Sequence, residues 1–168
     1  MSSIIALAIL VFIGATIFKG VRIVPQGYKW IVQRLGKYHT TLGPGLNIVI
    51  PYIDEVAYKI TTKDIVLDIP SQEVISKDNA VLVMNAVAYI NLTTPEKAVY
   101  GIENYTWAIQ NLVQTSLRSI VGEMDLDDAL SSRDHIKAKL KAAISDDIAD
   151  WGITLKTVEI QDIQPSHT

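Results

Sequence analysis

An α+β fold behind an N-terminal transmembrane helix is predicted by three observations. Ile4 to Phe18 (IIALAILVFIGATIF) carries no charge. From Tyr28 to Leu92 apolar residues recur at strand spacing, in runs separated by Gly and Pro. From Thr94 to Trp151 the period changes to three and four residues, and a last strand-like run follows. Strands first, helices next and one closing strand argue for α+β rather than a doubly wound sheet.

As a helix, Ile4 to Phe18 measures about 22 Å at roughly 1.5 Å per residue, and a full span takes about 20 residues. Met1, Ser2 and Ser3 lengthen the run at one end and Gly20, Val21, Ile23 and Val24 at the other, so residues 1–24 are read as the anchor. Ile4, Leu7, Leu10, Val11, Phe12, Ile17 and Phe18 are its expected membrane-spanning residues, with Lys19 and Arg22 reaching for headgroups at its end. No basic n-region and no A-x-A-like site accompany the run, which argues against a cleaved signal peptide. Apolar character all round argues against a core helix, which would show a stripe. The positive flank is entirely C-terminal, so the positive-inside rule predicts a single pass with the N-terminus outside and the remainder cytoplasmic.

The 168 residues allow one domain with a core plus an appendage. Cysteine is absent, which excludes a disulfide framework, a thiol nucleophile and a cysteine metal site. The net charge of −3 hides a division. Residues 1–53 hold five basic and no acidic groups; the remainder holds 10 basic and 18 acidic groups, a balance of −8. A basic segment beside an apolar anchor suits anionic headgroups, and the acidic remainder argues against nucleic acid.

Pro25 and Gly27 stop any helix continuing from the anchor. Tyr28 to Leu35 reads as a strand, and Leu46 to Ile50 as another, entered through Gly43-Pro44-Gly45 and stopped by Pro51. Ile65, Leu67 and Ile69 alternate with Asp64, Val66 and Asp68, the mark of a half-buried strand. Ser71–Ser76 and Ala80–Leu92 flank the turn Lys77-Asp78-Asn79 as a hairpin, whose second arm is apolar on both faces and reads as central. Thr94 and Pro95 open a helix as N-cap and first residue. Asn104 or Thr106 opens a longer one with Ile109, Leu112, Val113, Ser116, Leu117 and Ile120 on one face. Ser131 or Ser132 caps a third, whose stripe is Ile136, Leu140, Ile144, Ile148 and Trp151, ended by Gly152. Ile153 to Ile163 is the last strand.

The residues offer no catalytic constellation. His39, His135 and His167 are scattered without a second ligand at helical or hairpin spacing, so neither a metal nor a cofactor is expected. Asp125, Asp127 and Asp128 lack the Gly and Glu of a calcium loop and read as helix-capping and dipole-facing acids, with a hydrolase built on them ranked last. There is no G-x-S-x-G, H-E-x-x-H or P-loop, and Gly43 and Gly45 read as turn residues. The glycosylation-like triplets at Asn91 and Asn104 fall at a strand end and a helix start and read as structural. Arg118, a charge in an apolar helix, reads as a paired structural arginine or an inter-subunit contact; with Asp127 it is a candidate oligomer contact.

The segments VPQGYKWIVQRLGKYHTTLGPGLNIVIPYID, KDNAVLVMNAVAYINL, NYTWAIQNLVQTSLRSIVGEMDLDDALSSRDHI and WGITLKTVEIQDIQP resemble the stomatin branch of the stomatin/prohibitin/flotillin/HflK-C (SPFH, Band 7) family. The likeness is closest to bacterial stomatin-like inner-membrane proteins of the QmcA type and covers Val24 to Pro165 in order. It implies an SPFH/Band 7 domain over 25–165 that has no enzymatic activity of its own. It further implies a homo-oligomer that organises lipid and protein microdomains, with membrane AAA proteases or NfeD-type proteins as partners in quality control. Lys19, Arg22, Lys29, Trp30, Arg34 and Lys37 would then meet the membrane surface. The family normally continues into a helical coiled-coil region, so residues 166–168, with Ser166 where a second proline is expected, are read as a truncated end, of a fragment or of a natural short form. That shifts weight toward an alternative, a monomeric module regulating one membrane protein.

Overall fold

In the computed structural model, which describes residues 1–166, the uncharged N-terminal run forms α1, Ser2–Gly20. It has no Pro, and Gly20 is its one buried residue, so α1 is not a core helix of this chain. At Gly20 the backbone closes on the following strands: the Val49 N–H donates to the Gly20 carbonyl at 2.7 Å, and a Cβ there would collide with the Val49 carbonyl. The helix therefore stops short of the anchor's expected end at Val24. Val21–Val24, three of whose four residues are β-branched, forms β1 instead.

Two compact units make up the chain, Met1–Lys63 and a second beginning at Asp64. In the first, β1 pairs antiparallel with β4, Gly45–Ile48, as a two-stranded ribbon. Beside it β2 (Tyr28–Arg34) is the middle strand between β3 (Lys37–Leu42) and β5 (Asp54–Thr61). Val24, Val32, Leu42 and Val49 form the core of this unit, with Trp30 and Val56 packed against it. Strand β3 carries no alternating apolar signal, whereas β5 alternates Val56, Tyr58 and Ile60; neither strand is among those the sequence predicts.

In the second unit β6 (Ile65–Ile75), β7 (Val81–Leu92) and β8 (Ile153–Pro165) form an antiparallel sheet with β7 central, as its sequence predicts. Helix α2 is Pro95–Tyr100, α3 Tyr105–Gly122, α4 Leu126–Ser131 and α5 Arg133–Ala149. Helix α3 lies along β6 and against α5, and α5 lies along β8. Ile109, Val113 and Leu117 of α3 and Ile136, Leu140, Ile144 and Ile148 of α5 are all buried. Asn104 is the N-cap of α3, its side-chain oxygen accepting the Trp107 N–H. Thr94 and Ser132 stand at the cap positions of α2 and α5 without a side-chain bond.

Helix α4 was not expected, and its capping acid is not a local one. The Asp125 side chain makes no capping bond; Asp78, in the β6–β7 turn, accepts the Leu126 N–H. Asp78 also accepts from the Ser76 hydroxyl, and these hydrogen bonds hold its pKa below the usual carboxylate value. Strand β8 keeps its apolar residues inward by slipping register twice. Inward positions run Ile153, Leu155, then Val158, Ile160, then Ile163, with the shifts in pairing falling between those groups.

Candidate membrane-facing site

The site is built where α1 hands the chain to the ribbon. Val21 pairs with Ile48 and Ile23 with Leu46, so these four side chains share one face of β1–β4. That face is unpacked: Ile23 is 70%, Leu46 71% and Ile48 75% exposed. The opposite face carries Val24 into the core. Next in the chain, the loop 50–54 exposes Ile50, Tyr52 and Ile53. Several exposed large apolar side chains on one small unit, continuous with an unpacked apolar helix, mark an interaction surface rather than chance exposure.

Asp54 fixes this loop. Its carboxylate accepts from Arg34 Nε at 2.7 Å, from Arg34 Nη2 at 3.2 Å and from the Ile50 N–H at 2.9 Å, and the Asp54 N–H returns a bond to the Ile50 carbonyl. The Asp54 side chain is 2% exposed. The Arg34 hydrogen bond, then the Ile50 N–H, lowers its pKa to about 2, and the same bond raises that of Arg34. Inside the loop Tyr52 sits at φ 71, a left-handed backbone that a bulky residue rarely adopts.

The sequence-predicted residues divide around this site. Ile4, Leu7, Leu10, Val11, Phe12, Ile17 and Phe18 all lie exposed on α1. Lys19 ends α1 with its ammonium 5.8 Å from the Tyr52 ring centroid, and Arg22 Nη1 donates to the Lys19 and Val21 carbonyls. Trp30 is half-buried with the Lys59 ammonium 4.4 Å over its ring, Lys29 is half-buried and Lys37 is exposed. The Arg34 guanidinium is engaged by Asp54. Phe18, Lys19, Arg22, Trp30, Tyr52 and Asp54 line one recess of about 630 Å³. Ile23, Leu46, Ile48 and Tyr52 were missed as site residues; the signal available was the alternation in VRIV and LNIVI, which gains meaning only once the two strands are paired.

Arg118 and Asp127 are not brought together. Arg118, exposed on α3, donates to Gln72 at 3.2 Å, whereas Asp127 is exposed in the first turn of α4, and among the described residues no ion pair joins them. His39 and His135 are exposed, His167 lies outside the described residues, and no cluster of three metal-ligating side chains occurs among the described residues. Asn91 donates to Asp64 at 3.0 Å, so both glycosylation-like asparagines have structural work.

Residues 22–168 match the SPFH domain / Band 7 family. The chain belongs to that family. It is 42% identical to an uncharacterized protein of Methanocaldococcus jannaschii over 89% of this chain and 74% of the relative. It is 39% identical to one of Methanothermobacter thermautotrophicus over 88% of this chain and 46% of that relative. It is also 39% identical to human mitochondrial stomatin-like protein 2, over 83% of this chain and 39% of that protein. The chain thus spans most of one of these relatives and less than half of the other two. The fold expected of the SPFH resemblance, an apolar N-terminal helix followed by a mixed α+β domain closed by a last strand, is the fold found.

Proposed function

We propose that this SPFH chain is a membrane-anchored, non-catalytic scaffold that oligomerises and organises or regulates membrane proteins. On this reading α1 crosses the inner membrane once, with its N-terminus outside and the remainder cytoplasmic. Membrane AAA proteases or NfeD-type proteins are its partners in quality control. One observation carries the membrane part: α1, 19 residues and about 28 Å long, is packed against almost nothing and leads directly into a ribbon whose free face is Val21, Ile23, Leu46 and Ile48. Sinking Ile23, Leu46 and Ile48 into hydrocarbon favours membrane contact by roughly 1.5–3 kcal/mol each. The chain's kinship with stomatin-like proteins supports the scaffold part.

The test is extraction followed by mass. The full chain should stay with membranes through an alkaline carbonate wash, and the detergent-extracted chain should scatter light as a multimer. Release by carbonate would contradict the anchor; a strictly monomeric mass would replace the scaffold with the monomeric regulatory module.

A further inference from the structure

We propose that the recess at the C-terminal end of α1 binds the headgroup phosphate of an anionic phospholipid from the bilayer that α1 enters. This deepens the membrane reading above and rests on it. Three features of the recess point the same way.

The first is charge. Lys19 and Arg22 line the recess, and neither has a carboxylate partner among the described residues. Arg22 spends Nη1 on carbonyls at the end of α1, which leaves Nε and Nη2 for an anion. Asp54 is the one acid in the lining, and its charge is answered by the two-pronged Arg34 contact. The recess therefore offers two cations to a ligand, and cations with N–H donors hold phosphate oxygens through strong, short hydrogen bonds.

Depth is the second feature. A helix about 28 Å long nearly matches a hydrocarbon core of about 30 Å, so Lys19, in its last turn, falls at headgroup level. The third is the kind of wall. Phe18 and Ile23, largely exposed, give the recess an apolar side that suits an acyl chain, while Trp30 and Tyr52 are of the type favoured at the interface. Tyr52 is held at the recess in a left-handed backbone by the bonds of Asp54, and strain of that kind concentrates at ligand sites. The same two cations would take free phosphate, but the apolar wall selects the lipid.

The experiment is native mass spectrometry of the full detergent-solubilised chain, titrated with phosphatidylglycerol, phosphatidylcholine or inorganic phosphate. The variants are Lys19→Gln, Lys19→Gln with Arg22→Gln, and Arg22→Lys. Lys19→Gln disturbs only the contact with the Tyr52 ring, so it reports on binding even if the double variant is destabilised at the end of α1. Phosphatidylglycerol should bind in preference to phosphatidylcholine, with affinity falling about tenfold or more in the double variant, less in Lys19→Gln, and returning toward the original with Arg22→Lys. Equal binding by the original chain and Lys19→Gln, no preference for the anionic lipid, or equal competition by inorganic phosphate would overturn the site. Carbonate retention of each variant is measured alongside. A chain that stays in the membrane but shows no lipid preference refutes the site alone, whereas one that is washed out refutes the membrane reading and the site with it.

Discussion

Asp54 and Arg34, 20 residues apart, show what a single residue pair settles here. The sequence offers Arg34 as one more cation for the membrane surface; the fold places it beside a nearly sealed carboxylate that also holds the 50–54 loop. Because the Arg34 hydrogen bond lowers the folded pKa of Asp54 to about 2, below the ordinary aspartate value of 3.8, the unfolded chain takes up the proton first as pH falls. The stabilisation is complete above about pH 4 and is lost as pH drops through about 2. Asp54→Asn should therefore melt at a lower temperature than the original chain at neutral pH, and the gap should close between pH 4 and 2. Thermal melts of both proteins across that range check it; a gap independent of pH would show that the carboxylate charge contributes nothing. Neither the pairing nor the exposure of Tyr52 was legible in the sequence, since both depend on a loop closed by a residue four positions away and an arginine on another strand.

At the scale of elements, legibility followed periodicity. The β6–β7 hairpin was readable from its turn residues, the central place of β7 from apolar residues on both faces of the strand, and the buried stripes of α3 and α5 from one clear helical period over ten residues or more. Strand β1 was hidden because β-branched residues that extend an apolar helix look alike in helix and strand. Strand β3, KYHTTL, has one buried apolar residue, and the six residues of α4 bury only Ala129. Gly152, read as the end of α5, lies three residues past the helix's last residue Ala149, in the turn into β8, so Trp151 falls outside the helix rather than on its stripe; the structure shows why the glycine position is strict. It sits at φ 70, its carbonyl accepts the Thr94 N–H at 2.9 Å, and a Cβ would strike the Thr94 carbonyl at the start of α2. Gly152→Ala should cost about 1–2 kcal/mol from left-handed backbone alone, with the collision adding to it. A urea midpoint lowered at unchanged slope is the expected reading.

For the whole molecule, the division of charge seen in the sequence maps onto the two units. Residues 1–63 carry seven basic and two acidic groups, a balance of +5, and residues 64–168 carry eight and 16, a balance of −8. The cationic unit is the one that contains α1 and the apolar ribbon, so hydrophobic and electrostatic attraction to an anionic bilayer belong to the same part of the chain. Entry of this part into the membrane is directly measurable, because the chain has no cysteine of its own. Single substitutions Leu10→Cys, Ile23→Cys, Ile48→Cys and Asp127→Cys, spin-labelled and reconstituted in anionic vesicles, would report accessibility to dissolved oxygen and to an aqueous nickel complex. Leu10, Ile23 and Ile48 should show oxygen-rich, nickel-poor surroundings and Asp127 the reverse; labels at Ile23 and Ile48 as exposed to nickel as the one at Asp127 would contradict membrane entry of this part of the chain.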